Sequence, residues 1–338
     1  MYGAITSCRN YLYNIAWFKS YEVPVAVICV GNLKAGGTGK TPFTQFLLKH
    51  FSKHYPTAVL SRGYGRKTRG FVLAHEYSTA IDIGDEPLQL FTHAQGQYHV
   101  AVCEDRIEGV KQLQQLIPDL KLVILDDGFQ HRRIKRDVNV LLTEFNDPFY
   151  NDLVLPAGRL REFRSGASRA DLIVVTKCPD AYNELDKDTI YRYSRKQLPV
   201  HYTSIQYSAL KMQDSAVCNE PVQKVILVTG IANPQPLLDY LTSQQIEVVQ
   251  HIGYKDHHDY SKEDLLAIEE LRSKNAGVKV LTTEKDWVKV VPLFKGYSIE
   301  NTWLYIPIDI AIRTDEEQLL SVIQTKITER LNRLTNLI

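Results

Sequence analysis

The 338-residue sequence predicts an α/β protein: a mainly parallel sheet flanked by helices, with a second, smaller α/β domain. Three observations carry that prediction. From Pro24 onward, short apolar runs alternate with amphipathic stretches, as strand–helix–strand units do. A glycine-rich turn ending in Gly39-Lys40-Thr41 separates the first such strand from the helix after it. A second strand–helix series starts near Lys224. Composition agrees, since 23% charged, 44% hydrophobic and 10% aromatic residues describe a folded chain. Forty Lys+Arg against 39 Asp+Glu leave a formal charge of +1, so no global field attracts nucleic acid, and any basic surface is local. The five cysteines are scattered without a C-x-x-C pair, which favours reduced thiols over zinc or a redox couple. No apolar run approaches the roughly 18–20 residues of a membrane-crossing helix.

Residues 1–22 read as an amphipathic helix, with Ile5, Cys8, Leu12 and Ile15 at helical spacing and Tyr2, Tyr11, Tyr13, Trp17 and Phe18 adding aromatic weight. They lack the basic start, uniform apolar centre and cleavage site of a secretory signal. Two assignments stay open: a helix packed on its own domain, or an interfacial helix with aromatic rings at lipid headgroup depth. Residues 23–200 form the first expected domain, with strands at Val25–Val30, Thr57–Leu60, His99–Cys103, Leu122–Leu125, Val138–Leu142 and Leu172–Thr176. Helices are expected at Pro42–His54, Glu86–Ala94 and Arg106–Ile117. Residues 201–222 read as a linker strand region and 223–338 as a C-terminal α/β domain. Its strands are Val225–Thr229, Glu247–His251 and Val278–Thr282, and a helix follows Ser261, with Asp264 completing a capping box. Residues 201–210 and 302–310 both alternate like strands, which makes 302–338, including a closing helix from Glu316 to Leu334, a candidate return to the first domain.

The phosphate loop is the strongest motif. In Lys34-Ala35-Gly36-Gly37-Thr38-Gly39-Lys40-Thr41, glycines turn backbone N–H groups toward phosphate oxygens and the following helix points its positive end at them. Lys40 is placed to reach the outer phosphates and Thr41 to hold Mg2+. Lys34 occupies the position of the usual first glycine, and Gly36 and Gly37 supply the freedom it lacks. A buried strand ending in Asp126-Asp127 supplies the partner element, in which the two carboxylates are candidate metal ligands. Together these give a P-loop NTPase-like sheet. Thr176-Lys177-Cys178-Pro179-Asp180 resembles a guanine-reading motif, but the Asp lies one residue too far along.

Two further clusters carry ionisable groups. In Gly84-Asp85-Glu86-Pro87, Asp85 suits either a helix cap or a catalytic carboxylate. Asp256-His257-His258-Asp259 packs two histidines between acids without the spacing of a metal site. Three basic stretches, Arg62–Arg69, His131–Arg136 and Arg159–Arg164, suit the ligand-binding edge of the sheet and a second anionic ligand.

Taken in register, these segments resemble one family, the tetraacyldisaccharide 4'-kinases. The matching stretches are Val30-Gly-Asn-Leu33 with Gly36–Pro42, Leu60-Ser-Arg-Gly-Tyr-Gly65, Gly84–Leu88, Asp126-Asp-Gly-Phe-Gln-His-Arg-Arg133, Leu155-Pro-Ala-Gly158 with Leu160-Arg-Glu162, Asp256–His258 and Thr282-Thr-Glu-Lys-Asp286. The resemblance implies ATP- and Mg2+-dependent phosphorylation of the 4' hydroxyl of an acylated disaccharide 1-phosphate lipid, at the cytoplasmic leaflet of the bacterial inner membrane. It implies Asp85 as general base, His257 as its orienting partner, Lys40 with Thr41 as the phosphate-loop pair, and Asp126 and Asp127 as the strand-end acids. It also gives active-site positions to Glu86, Arg106, His131 and Arg161. In this family the first segment contacts membrane, which favours the interfacial assignment for residues 1–22. A nucleotide-driven switch or assembly ATPase without lipid phosphotransfer is the alternative, and a soluble small-molecule kinase a weaker one.

Overall fold

The computed structural model describes residues 2–195, 197–213, 215–275, 277–294 and 302–336. The outermost residues of the expected first and last segments, and 295–301 within the latter, lie outside that set. In chain order the strands of the first half are β1 (Ala26–Asn32), β2 (Thr57–Ser61), β3 (Val72–Leu73), β4 (His99–Val102), β5 (Leu122–Leu125), β6 (Val138–Glu144), β7 (Leu172–Thr176) and β8 (Val200–Tyr207). Then come β9 (Lys224–Thr229), β10 (Glu247–Gly253), β11 (Lys279–Thr283), β12 (Trp303–Ile306) and β13 (Ile308–Ile312). The α-helices are α1 (Tyr2–Asn14), α2 (Lys40–Phe51), α3 (Ala80–Ile83), α4 (Asp85–Ala94), α5 (Arg106–Leu116), α6 (Lys187–Tyr193), α7 (Gln235–Ser243), α8 (Lys262–Ser273), α9 (Glu284–Val290) and α10 (Glu316–Thr335).

A nine-stranded sheet runs β13-β8-β7-β6-β1-β5-β2-β4-β3, parallel except at its two edges, and a parallel four-stranded sheet runs β10-β9-β11-β12. The expected α/β class therefore holds. Strand β1 sits centrally between β5 and β6, and its side chains alternate into two cores. Ala26, Ile28 and Val30 meet Phe43 and Leu47 of α2 together with Leu319 and Ile323 of α10, while Val25, Val27 and Cys29 meet Val110 and Leu113 of α5. A strand buried on both faces is a continuous apolar run, which is how Val25–Val30 reads. The smaller sheet packs α8 and α9 on one face, through Ile268 and Trp287, and α7 on the other, through Leu237 and Leu241.

The stretch 302–310 is not one strand. Pro307 removes a backbone donor and breaks it: Trp303–Ile306 pair with β11 of the small sheet, and Ile308–Ile312 pair antiparallel with β8 of the large one. Helix α2 begins two residues earlier than the proline suggests, because the first turn of a helix needs no N–H at Pro42. Helix α1 stops at Asn14, short of residue 22, where Ala16 turns the chain at φ 56°. None of its residues is buried. Its polar groups face the protein: Arg9 donates to the Gln130 carbonyl at 2.9 Å, Asn10 to Glu162 at 2.7 Å, and Arg132 to the Asn10 carbonyl at 2.8 Å. Ile5 (63% exposed) and Trp17 (74% exposed) lie among the apolar side chains left outside, so this helix does not bury an apolar stripe in its own core. Elements β3, α3, α6, α7 and α9 carry too few periodic positions to stand out in the sequence. The capping box at Ser261 forms as read, with Asp264 closing it.

The two lobes meet at α4 and α9. Val288 joins Ile83, Leu88 and Val102 in a shared cluster, and Gln89 donates to Glu284 at 2.9 Å. The return of the chain through α10 is a core contribution rather than a tail. Replacing the fully buried Ile323 by Ala should cost about 2–5 kcal/mol. Thermal or denaturant unfolding of the full chain checks this, and an unchanged midpoint would contradict it.

Candidate active site

The phosphate loop leaves β1 at Asn32 and enters α2 at Lys40. Gly39 caps α2 at φ 76°, a conformation that costs glycine nothing. The loop is held from three sides. Asn32 donates to the Thr38 hydroxyl at 2.7 Å, Thr176 at the end of β7 donates to the Thr38 carbonyl at 3.0 Å, and Lys177 donates to the Gly37 carbonyl. The Thr176-Lys177 pair thus braces the phosphate loop. Lys34 is buried and paired with Asp147 and with Asp152 at 2.9 Å, and Ala35 N–H bonds the Arg159 carbonyl at 2.8 Å. These tie the loop's start to the 147–160 segment and explain why a long cation is tolerated there. Beyond Gly36 and Gly37 the space is open, since a Cβ at either would meet no atom within 4 Å.

The end of β5 brings Asp126 and Asp127 beside this loop. Asp126 is fully buried and accepts from Thr44 of α2 at 2.9 Å through Oδ1, while Oδ2 has no partner. Burial pushes its carboxyl well up, and the charges of Glu86 and Asp127 push the same way. Asp127 lies at φ 47° and accepts from one Arg161 nitrogen at 2.8 and 2.9 Å, with Lys40 Nζ at 3.8 Å. Burial would raise this carboxyl too, but Lys40 and Arg161 outweigh it and hold it below the usual range. Arg106 is buried, donates to the Cys103 carbonyl at 2.6 Å, and is lowered mainly by burial, against the pull of Asp126 and Asp127. His131 is held neutral, its pKa lowered to about 4 by burial and then by Arg106. An orphaned buried carboxylate oxygen next to a second acid and a threonine suits a hard cation such as Mg2+.

Asp85 is the first residue of α4, not its cap; Gly84 takes that position, so the Asp85 carboxylate is not used on its own helix. The structure brings it together with His257 from the loop after β10, Nδ1 to Oδ2 at 3.1 Å. Lys289 of α9 reaches the same Oδ2 at 3.1 Å. Burial raises the Asp85 carboxyl, and the His257 hydrogen bond and Lys289 reverse that, leaving it below the usual carboxylate range. His257 lies at φ 62° and packs its ring against Tyr64, 5.6 Å between centroids. Glu86 is half-buried, and its charge acts on Asp126, which links the two poles of the site.

The basic stretches are more committed to this chain than the sequence suggests. Arg66 pairs with Glu104, Arg133 with Asp105, Lys135 with Glu22, and Arg136 donates to the Phe129 carbonyl, so a second anionic ligand is not needed to explain them. Sequence reading gave no site role to Lys285, Lys289 or Glu162. Each lies within a matching stretch or just after it, but nothing in a linear spacing shows that α9 faces Asp85. Glu162, buried, gathers Asn10, Gln130 and Arg169, and so joins α1 to the segment after Asp127.

A phosphate loop and strand-end acids on one parallel sheet, with a carboxylate–histidine pair formed between that lobe and the smaller one, define a P-loop phosphotransferase-type protein. The family model described as tetraacyldisaccharide-1-P 4'-kinase matches residues 1–328, and the chain belongs to that family. A tetraacyldisaccharide 4'-kinase of Cytophaga hutchinsonii is 60% identical over 335 residues, covering 99% of this chain and 95% of that one. One from Bacteroides thetaiotaomicron is 40% identical over 311 residues, covering 86% and 81%. The crystal structure of LpxK from Aquifex aeolicus in complex with ATP superposes with a TM-score of 0.78 at 28% identity, covering 96% of each chain.

Gly84 fixes where Asp85 stands. It lies at φ 92°, and a Cβ there would come within 2.7 Å of the Tyr64 carbonyl. Gly84→Ala should therefore cost about 1–3 kcal/mol and move Asp85 off His257. Calorimetry and a structure of the variant check this; an unchanged melting temperature would contradict it.

Proposed function

We propose that this chain is an ATP-dependent kinase that phosphorylates the 4' hydroxyl of a tetraacylated disaccharide 1-phosphate. The observation that carries the reading is the pairing of Asp85 with His257 of the other lobe at 3.1 Å, next to Glu86, whose charge acts on Asp126 at the end of β5. Lys40 and the N–H groups opening α2 hold the triphosphate and take up charge as the terminal phosphoryl group leaves. Thr41, Asp126 and Asp127 are the residues that would hold Mg2+, which when bound neutralises phosphate charge. Asp85 accepts the hydroxyl proton as the sugar oxygen bonds to phosphorus and the bond to the departing ADP breaks. His257 keeps that carboxylate ionised and aimed. Arg161 holds Asp127 in place, Arg106 offsets the charges of Asp126 and Asp127, Glu86 acts on Asp126, and His131 stands beside Arg106.

The substrate's acyl chains reside in a bilayer, which gives α1 a purpose its packing does not. Polar contacts fasten the helix to the protein while Ile5 and Tyr11 of the helix, and Ile15 and Trp17 in the turn after it, are exposed, the arrangement of an interfacial segment with rings at headgroup depth. Among the described residues no helix is long and apolar enough to cross a membrane. We place the protein peripherally, on the cytoplasmic leaflet of the inner membrane.

Incubation with ATP, Mg2+ and the acylated disaccharide 1-phosphate should yield a doubly phosphorylated lipid. ATP hydrolysis without that lipid would support a nucleotide-driven switch instead. Asp85→Ala should lower turnover about 10²- to 10⁴-fold while ATP binding persists, and unchanged turnover would remove Asp85 as base. Deleting residues 1–21 should abolish sedimentation with anionic vesicles; retained binding would assign the contact to another surface.

A further inference from the structure

Helix α9 presents two lysines one turn apart, Lys285 and Lys289, toward the Asp85–His257 pair. Like charges at this spacing are mildly unfavourable on a helix, and a buried ammonium needs partners. Both lysines have them. Lys289, with its side chain 4% exposed, reaches Asp85 Oδ2 at 3.1 Å, donates to the His258 carbonyl at 2.8 Å, and lies 3.9 Å from Asp286 and 5.6 Å from the Tyr260 ring centre. Lys285 donates to Asp256 at 2.8 Å and stands 3.4 Å from His257 Nε2.

The chemistry of these contacts sets proton positions. Nε2 faces Lys285 at 3.4 Å and Asp256 Oδ2 at 3.9 Å; an ammonium has only protons to offer, so the nearer lysine assigns that nitrogen as the acceptor. The ring proton then sits on Nδ1, pointed at Asp85 Oδ2. Lys289 adds its charge to the same oxygen. Among the described residues, both groups on the Asp85 carboxylate fall on Oδ2, which leaves Oδ1 for a hydroxyl group.

We propose that Lys285 and Lys289 are positioning residues for the phosphoryl transfer. Lys289 anchors Asp85 through Oδ2, and Lys285 fixes the tautomer of His257, so that Oδ1 alone is left to receive the substrate proton. This rests on the reading of Asp85 as general base. The lysines touch neither phosphate nor sugar in this assignment; they act through the pair they hold.

The test uses full-length Lys289→Met, Lys289→Arg, Lys285→Met, Asp85→Ala and the Asp85→Ala/Lys289→Met double variant. For each, kcat, the KM for ATP and the pH profile of kcat/KM are measured with lipid substrate. The charged groups facing Asp85 are His257 from the loop after β10 and Lys289 from α9, with Asp286 behind Lys289. Removing the ammonium lets the carboxylate take up a proton more readily, so the acid limb of the profile moves up. We expect Lys289→Met to lower kcat about 10- to 100-fold, leave the KM for ATP unchanged, and raise the acid limb by about one pH unit. Lys289→Arg should recover part of kcat and return the limb toward its original position. Lys285→Met, at a half-buried position that tolerates the exchange, should lower kcat about three- to tenfold with the KM for ATP unchanged. The double variant should be no slower than Asp85→Ala.

Wild-type kcat and acid limb in both methionine variants, with Asp85→Ala inactive, would overturn this inference and leave the base intact. A full further loss in the double variant would also overturn it, because Lys289 would then act elsewhere. Should Lys289→Met fail to fold, an unaltered kcat in Lys285→Met would overturn the proposal by itself. Wild-type turnover in Asp85→Ala would instead overturn the base reading, and this inference with it.

Discussion

A carboxylate of one lobe keeps its charge here through groups of the other. Asp85 opens α4 on the nine-stranded sheet, in surroundings whose burial alone would favour its neutral form, and the donors that reverse this come from the loop after β10 and from α9. Most of the architecture serves that contact. Val288 and Glu284 lock α9 against α4, and the return of the chain through β13 and α10 ties the small sheet to the large one at both ends of its insertion. If the lobes separate, Asp85 loses both partners, while Lys289 keeps only the His258 carbonyl, the Tyr260 ring and Asp286 of its own lobe. The pairing of Asp85 with His257 and Lys289 and the packing of the two lobes are one event.

The second pole of the site obeys a different rule. Asp126 and Asp127 are neighbours in sequence and opposite in character: burial and like charge push the first toward neutrality, while Lys40 and Arg161 hold the second ionised. A cation placed beside the unpartnered Asp126 oxygen would favour the ionised form that burial and like charge disfavour. The two poles also share a backbone signature. Asp127 and His257 both lie in the left-handed region, at φ 47° and 62°, where a side chain costs energy and persists when its surroundings demand it.

The large sheet and the phosphate loop were legible in the sequence because their signals are local. Val25–Val30 followed by Gly36–Thr41 reads directly as strand, loop and helix, and Leu122–Leu125 followed by Asp126-Asp127 as a strand ending in acids. The pairing of Asp85 with His257 came from resemblance to a family, since 172 residues separate them and no spacing relates them. Lys285 and Lys289 were illegible for a further reason: a seven-residue helix shows too few turns to display a face, and its orientation is set by Val288 packing on the other lobe. The split at Pro307 is similar, because a proline marks where a strand breaks but not that its halves join different sheets. Helix α1 is the opposite case, in which the apolar spacing left a core face and an interfacial face both open and the structure turns the polar side inward.

The central claim is that His257 carries its proton on Nδ1, held there by Lys285 and given to Asp85. Nitrogen-15 NMR of the full-length protein labelled at histidine reads this directly from the ring shifts of His257 near neutral pH. The account predicts a protonated Nδ1 with an unprotonated Nε2. A ring protonated only at Nε2 would contradict it, because no hydrogen could then pass from Nδ1 to the Asp85 carboxylate.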